Sequence, residues 1–147
     1  MNDKPAADAA PRFDPAAHGW EEIVNHTAFG ELVGPIWRND DNGKARFGFT
    51  VAPKHLNRSG NLHGGMLMTL ADQAMAMAAR QITGNKRHAT IELNIQFVDG
   101  VKLGEFVVAL PEVVRATRSV VFMEAKMFVG ERLVVTTSGI WKILERA

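Results

Sequence analysis

The stretch Gly64–Ile82 constrains this chain more than any other. Met66, Leu67, Leu70, Ala71, Ala74, Met75, Met77 and Ala78 make it apolar nearly all round at helical spacing. A helix of that kind is buried inside a fold, not laid on its surface. Gly64-Gly65 open it, and Gly84-Asn85, residues that accept a left-handed backbone, close it. Such a helix needs walls, and the following sequence supplies them. Residues 88–98 alternate Ile91, Leu93, Ile95 and Phe97 with Thr90, Glu92, Asn94 and Gln96, the period of a strand. Residues 103–114, 119–129 and 132–143 read as three more strands, the last two joined at Gly130-Glu131. Pro111 predicts a bulge or an edge position in the first of these. Ahead of the helix, residues 34–51 read as a hairpin turned at Asp40-Asp41-Asn42-Gly43, where Asn-Gly supplies positive φ. The order of hairpin, buried helix and meander predicts an α+β fold, a curved antiparallel sheet around one central helix.

The rest of the chain adds little to that frame. Residues 15–32 carry a weak helical pattern through Trp20, Ile23, Val24 and Phe29, and residues 1–15, rich in Ala, Pro and Asp, read as a disordered arm. Residues 16–147 are expected to form a single domain, since 147 residues suit one core. With 17 lysines and arginines against 16 acids the net charge is +1, which argues against a nucleic-acid partner. A small local basic cluster for an anionic ligand stays open. No cysteine is present, so disulfides, thiolate metal sites and a cysteine nucleophile are excluded. The five histidines show no metal-binding spacing, and no metal is expected. The longest apolar region, residues 62–79, is interrupted by His63 and Asp72 and makes a poor membrane span. Cytoplasm is the expected compartment.

Chemistry concentrates between Asn57 and Asp72. Gly64 and Gly65 stand where a loop enters the helix. They either permit tight packing or let a ligand approach the free N–H groups and positive dipole end of the first turn. An oxyanion formed there would be stabilised. Asp72 has Met68, Thr69, Met75 and Ala76 as its helical neighbours. Poor solvation on such a face disfavours the ionised form unless something pairs with it, which suits a general base. The alternative is a structural carboxylate bonded to Thr69, Gln73 or a neighbouring strand. His63 reads as a base, or as an orienting group ahead of the helix. Asn57 holds a water or carbonyl, or only shapes its turn.

Taken together, N-x-x-G-x-x-H-G-G-x-x-x-x-L-A-D, matched by Asn57, Gly60, His63, Gly64, Gly65, Leu70, Ala71 and Asp72, resembles the hotdog-fold acyl-CoA thioesterases, in particular the phenylacetate-pathway, PaaI-like type. The resemblance extends through residues 90–98 and 118–122 and covers most of the chain from about Gly30 onward. It implies that Asp72 activates the hydrolytic water or attacks the thioester itself. It also implies that the Gly64 N–H binds the thioester oxygen, while Asn57 and His63 hold the water, the carbonyl or the loop. By the same resemblance Thr90 lies near the attacking water, Gly65 lines the substrate path, and Arg115, Arg118 and Ser119 touch the pantetheine or nucleotide of CoA. No cofactor is implied, because CoA is part of the substrate. One departure is Asp99-Gly100 in place of the Arg-Pro of many relatives, with Lys102 as a candidate substitute cation.

Hydrolysis of an aryl- or medium-chain acyl-CoA is therefore the expected activity. A non-catalytic acyl-CoA-binding regulator on the same fold is the alternative. It would want a basic DNA-binding segment, which residues 1–29 lack. A hydratase would want D-x-x-x-x-H on its catalytic helix, which is absent. Helix geometry adds one more expectation. Over the nine residues from His63 to Asp72 a helix rises roughly 13 Å and puts the two side chains on opposite faces. A carbonyl held at one helix start is then reached by Asp72 of a second chain, so a homodimer or homotetramer with shared sites is expected.

Overall fold

The computed structural model describes residues 12–24 and 27–145. A 3₁₀ turn (Ala16–His18) leads into strand β1 (Glu21–Glu22), helix α1 (Ala28–Val33), and strands β2 (Trp37–Asp41) and β3 (Lys44–Thr50). A second 3₁₀ turn (Pro53–His55) precedes helix α2 (Gly64–Ile82), and strands β4 (His88–Phe97), β5 (Phe106–Ala116), β6 (Val120–Val129) and β7 (Arg132–Ile143) complete the order. The strands form one seven-stranded antiparallel sheet, β1-β2-β3-β5-β6-β7-β4. Helix α2 packs across β3 to β7. Leu67, Leu70, Ala71, Ala74 and Met75 of the helix are buried with Phe47, Phe49, Val107, Met123 and Trp141 of the sheet. This is the α+β arrangement that the periodicities predict.

Local chemistry explains the joints. Asn42 and Gly43 take φ of 51° and 80°, the two left-handed residues of a tight hairpin turn between β2 and β3. Gly139 sits where a Cβ would come within 2.6 Å of both the Glu92 carbonyl oxygen and the Trp141 ring, so only glycine allows β4, β7 and the buried indole to meet. Buried His55 fixes the approach to α2. Its Nδ1 accepts the Ala52 N–H at 3.0 Å, so Nε2 carries the proton and donates to the Val33 carbonyl at 2.6 Å. Burial above all, with a smaller push from the Lys54 charge, lowers the His55 pKa against the opposing effect of the Val33 bond.

One expectation changes. The helix sought over residues 15–32 is broken: Gly19 at φ 76° ends the first turn, and Glu21 and Glu22 pair with Arg38 and Trp37 of β2. Sheet hydrogen bonds win there, and only six residues, capped by Thr27 Oγ1 accepting from the Gly30 N–H, remain as α1. Of the arm expected over residues 1–15, residues 1–11 lie outside the described residues. Phe13 is placed, its ring 4.7 Å from that of Phe106 and 4.6 Å from that of His18. Pro111 takes the edge position of the two options: it sits beyond Ala109, where pairing with β3 ends, and pairs with Ala125 of β6 alone, while the bulge of β5 falls between Val113 and Arg115.

Candidate active site

Helix α2 presents Asp72 toward β4. Asp72 is half-buried, and Thr90 Oγ1 donates to its Oδ1 at 2.6 Å. Of the options open at Asp72, the bond to a neighbouring strand is realised, through the residue the resemblance sets near the attacking water. That bond leaves Oδ2 without a protein donor among the described residues. A β4 register shift between Thr90 and Glu92 swings Ile91 outward. Ile91, Phe97 and Val98 are exposed, and β4, paired only with β7 among the described residues, is an edge of the sheet. Only Leu93 and Ile95 of the four alternating apolar residues in β4 are half-buried against the core.

At the other end of the motif, His63 is the N-cap of α2. Its Nδ1 accepts the Gly65 N–H at 2.8 Å. A Cβ at Gly65 would lie 3.0 Å from that nitrogen, so glycine seats the cap. The cap occupies the Gly65 amide, while the Gly64 N–H meets no acceptor among the described residues. A Cβ at Gly64 would approach the Phe97 ring to 2.9 Å. The first amide of a 19-residue helix is thus left free, at its positive end, beneath an exposed aromatic ring. From Gly64 to Asp72 the helix rises about 12 Å, so the two groups do not meet within one chain.

Asn57 shapes the loop. Its Oδ1 accepts the N–H groups of Ser59, at 2.9 Å, and Asn61, at 3.1 Å, and its own N–H donates to the Asn61 carbonyl. Of the roles open to Asn57, holding the loop is the one these bonds describe. Asn61 in turn accepts from Lys102 Nζ, so the substitute cation is turned onto the loop. Asp99 is engaged by Arg132 at 2.9 Å. That hydrogen bond first, then the Gly100 N–H, holds the Asp99 carboxyl below its usual value. Arg132 also donates to both carboxylate oxygens of Glu105.

The residues expected to touch CoA separate. Arg118 and Ser119 lie in the tight turn between β5 and β6, where Thr117 Oγ1 accepts the Val120 N–H at 3.0 Å, and both line an open groove. Arg115, paired with Phe122 just after the β5 bulge, does not line it. Lys86, Arg87 and Lys142 do, and sequence reasoning overlooked them. The adjacent pair Lys86-Arg87, between the helix-ending Gly84-Asn85 and the strand carrying Thr90, was the available signal. Gln73 was also overlooked. Together with Met77, Ile36 and Lys54 it lines a cavity of about 340 Å³ beside α1, and its Oε1 is buried without a partner among the described residues.

A sheet wrapped on one helix finds counterparts among known proteins. Residues 59–136, more than half of the chain, match the family model of the Thioesterase superfamily. Human acyl-coenzyme A thioesterase 13 is 30% identical over 80 residues, 54% of this chain and 57% of that protein. The match thus spans little over half of that relative's length. A conserved protein of Pseudomonas aeruginosa has a solved structure that superposes with a TM-score of 0.74 at 30% identity, covering 80% of this chain and 94% of that one. The PaaI protein of the Escherichia coli phenylacetic acid degradation operon shares the fold, with a TM-score of 0.72 at 22% identity over 82% of this chain and 86% of its own. The chain belongs to the thioesterase superfamily, with the hotdog fold, and is a thioester hydrolase.

Proposed function

We propose that the chain hydrolyses an aryl- or medium-chain acyl-CoA to the free acid and CoA, in sites shared across a two-fold dimer. The observation that carries this reading is the Thr90–Asp72 hydrogen bond at the open β4 edge. It orients the carboxylate on the side of the molecule where a second copy would bring its own α2. The Gly64 N–H of the partner subunit binds the thioester oxygen, and Asp72 of this chain takes a proton from water as the water oxygen attacks the carbonyl carbon. Negative charge collects on the carbonyl oxygen and is stabilised by that amide and the helix dipole. Collapse breaks the carbon–sulfur bond, and the departing thiolate recovers the proton from Asp72. If Asp72 instead attacks the carbonyl carbon directly, the carbon–sulfur bond breaks as CoA leaves as its thiolate, and water then opens the mixed anhydride, releasing the acid and restoring the Asp72 carboxylate.

Support for the acyl class comes from the cavity beside Gln73, one residue from Asp72. Its volume of about 340 Å³ lies at the lower end of the range of small-ligand pockets, and Ile23, Ile36 and Met77 give it apolar walls beside the polar Glu22, Glu31, Lys54 and Gln73. The name of the human relative, an acyl-coenzyme A thioesterase, supports CoA as the carrier. No metal or redox cofactor takes part in this scheme. The deciding experiment measures thiol release from phenylacetyl-, hydroxyaryl- and medium-chain acyl-CoA, with and without EDTA. Turnover of at least one ester, indifferent to EDTA, is expected. Release no faster than in buffer for every ester would sink the proposal, and EDTA inhibition reversed by one divalent ion would sink its metal-free chemistry.

A further inference from the structure

The segment that joins β4 to β5, residues 99–105, lies against the loop that enters α2. Buried Val101 accepts the Leu62 N–H on its carbonyl at 2.8 Å, and Asn61 forms an isolated bridge with Lys102, whose Nζ also donates to Asn61 Oδ1. On its other side the loop is tied by the His63 N–H, which donates to the His55 carbonyl at 2.8 Å. Gly64 is the next residue. The place of its free amide therefore follows the place of residues 61–63.

Arg132, at the start of β7, holds that segment in shape. Its Nη1 donates to Asp99 Oδ2 at 2.9 Å and to the Gly100 carbonyl at 2.5 Å, and its Nη2 reaches the Glu105 oxygens at 2.8 and 2.9 Å. Glu105 Oε2 also accepts the Lys102 N–H at 2.8 Å. Charge balance gives the arrangement its logic. Residues 99–105 carry two carboxylates, Asp99 and Glu105, and one ammonium, Lys102. Arg132 takes both carboxylates, so Lys102, which has no carboxylate partner among the described residues, is left for Asn61. Without the guanidinium the two carboxylates would repel each other and draw the Lys102 ammonium off Asn61. We infer that Arg132 is a positioning residue for the hydrolysis: by engaging Asp99 and Glu105 it leaves Lys102 to hold Asn61, and so fixes the loop that presents the Gly64 N–H. Two of its acceptors come from Asp99-Gly100, the pair that departs from the family pattern. This rests on the reading of Gly64 as the donor to the thioester oxygen and deepens it, since a donor stabilises developing charge best when it is already in place.

The test uses the whole protein with Arg132→Gln, Lys102→Met and the two combined. Lys44→Gln, which breaks an exposed ion pair with Glu112, is the control. With an acyl-CoA ester that the wild type hydrolyses, Arg132→Gln should lower kcat about tenfold or more while KM stays within about twofold. That split is expected when an interaction made in the transition state is misplaced. Lys102→Met should lower kcat in the same way, and the double variant should be no slower than the slower single one, since both act through one contact. Lys44→Gln should match the wild type. A folded Arg132→Gln with wild-type kcat overturns the inference, as does a loss that multiplies with that of Lys102→Met, or a rise in KM alone. If Arg132→Gln does not fold, Lys102→Met decides: lowered kcat at constant KM supports the inference and unchanged kcat overturns it. Should the wild type hydrolyse no ester, the activity reading falls separately, and amide hydrogen exchange across residues 57–64 decides the clamp. Faster exchange in Arg132→Gln and Lys102→Met than in Lys44→Gln supports it, and equal exchange in all three overturns it.

Discussion

Asp72 illustrates how little a side chain's identity says before its partners are known. The sequence offers a carboxylate on an apolar helix, and the fold gives it one donor, Thr90 Oγ1, with its second oxygen free for water. We expect Asp72→Asn to lose about 10²–10⁴ of turnover, the usual worth of a general base, while the thermal midpoint moves little. Near wild-type turnover in a folded variant would make Asp72 structural. His55 behaves in the opposite way, since its chemistry is consumed by the fold. Its pKa is lowered in the native state, so the neutral ring is favoured there while the unfolded chain protonates near 6.5. The stability due to His55 is complete above that value and is lost as pH falls from it through the native pKa. His88, lowered likewise mainly by burial, acts with the same sign. Denaturant midpoints of wild type and His55→Gln at pH 7.5 and pH 5 check this. The variant should show a reduced pH dependence, and an unchanged slope would remove His55 from the account.

At the scale of elements, α2 and β4 do unlike work. Helix α2 is legible because its apolar run has sharp ends, and the structure keeps those ends: His63 caps one, and Gly84 and Asn85 at φ 69° and 61° finish the other. Strand β4 is legible as a strand but not as an edge. Its alternation predicts a buried face, yet Ile91 and Phe97 are exposed, and among the described residues no strand lies beyond it. An open edge with exposed apolar side chains is the kind of surface that soluble proteins pair or cover. Light scattering should therefore give a dimer or a larger even assembly, and Ile91→Lys should shift it toward monomer and reduce turnover in step. A wild-type monomer at assay concentration would contradict the shared-site scheme.

The whole molecule poses a question that one chain does not answer, because the roughly 12 Å of helix between Gly64 and Asp72 separates the two groups we propose act on one carbonyl. Complementation tests the answer directly. Gly64→Pro removes the one amide in question at the first helical position, where proline's fixed φ fits and the exposed Phe97 ring has to turn aside from the new Cβ, and Asp72→Asn removes the base. Random pairing of the two inactive chains makes about half the dimers hybrids, each with one intact site, so roughly a quarter of full activity should return. Hybrids verified by mass and as inactive as their parents would place both groups in one subunit's site.

Periodicity alone determined the α+β class, the extent of α2, the β2–β3 hairpin and the four later strands, because burial on one face repeats at the spacing of the backbone. The motif from Asn57 to Asp72 likewise singled out the candidate site, since glycine, histidine and aspartate there have few bland uses in combination. The sequence did not determine which polar atoms were already taken. Only the folded chain shows that His63 occupies the Gly65 amide and leaves that of Gly64, that Asn57 is committed to its loop, and that Lys102 is turned onto Asn61. Nor did it show that Lys86, Arg87, Arg118 and Lys142 share one groove, because three separate strand ends bring them together. Spacing along a chain encodes which face a residue takes. Hydrogen-bond partners and charge clusters depend on distances between segments far apart in sequence, and those exist only once the sheet has closed on its helix.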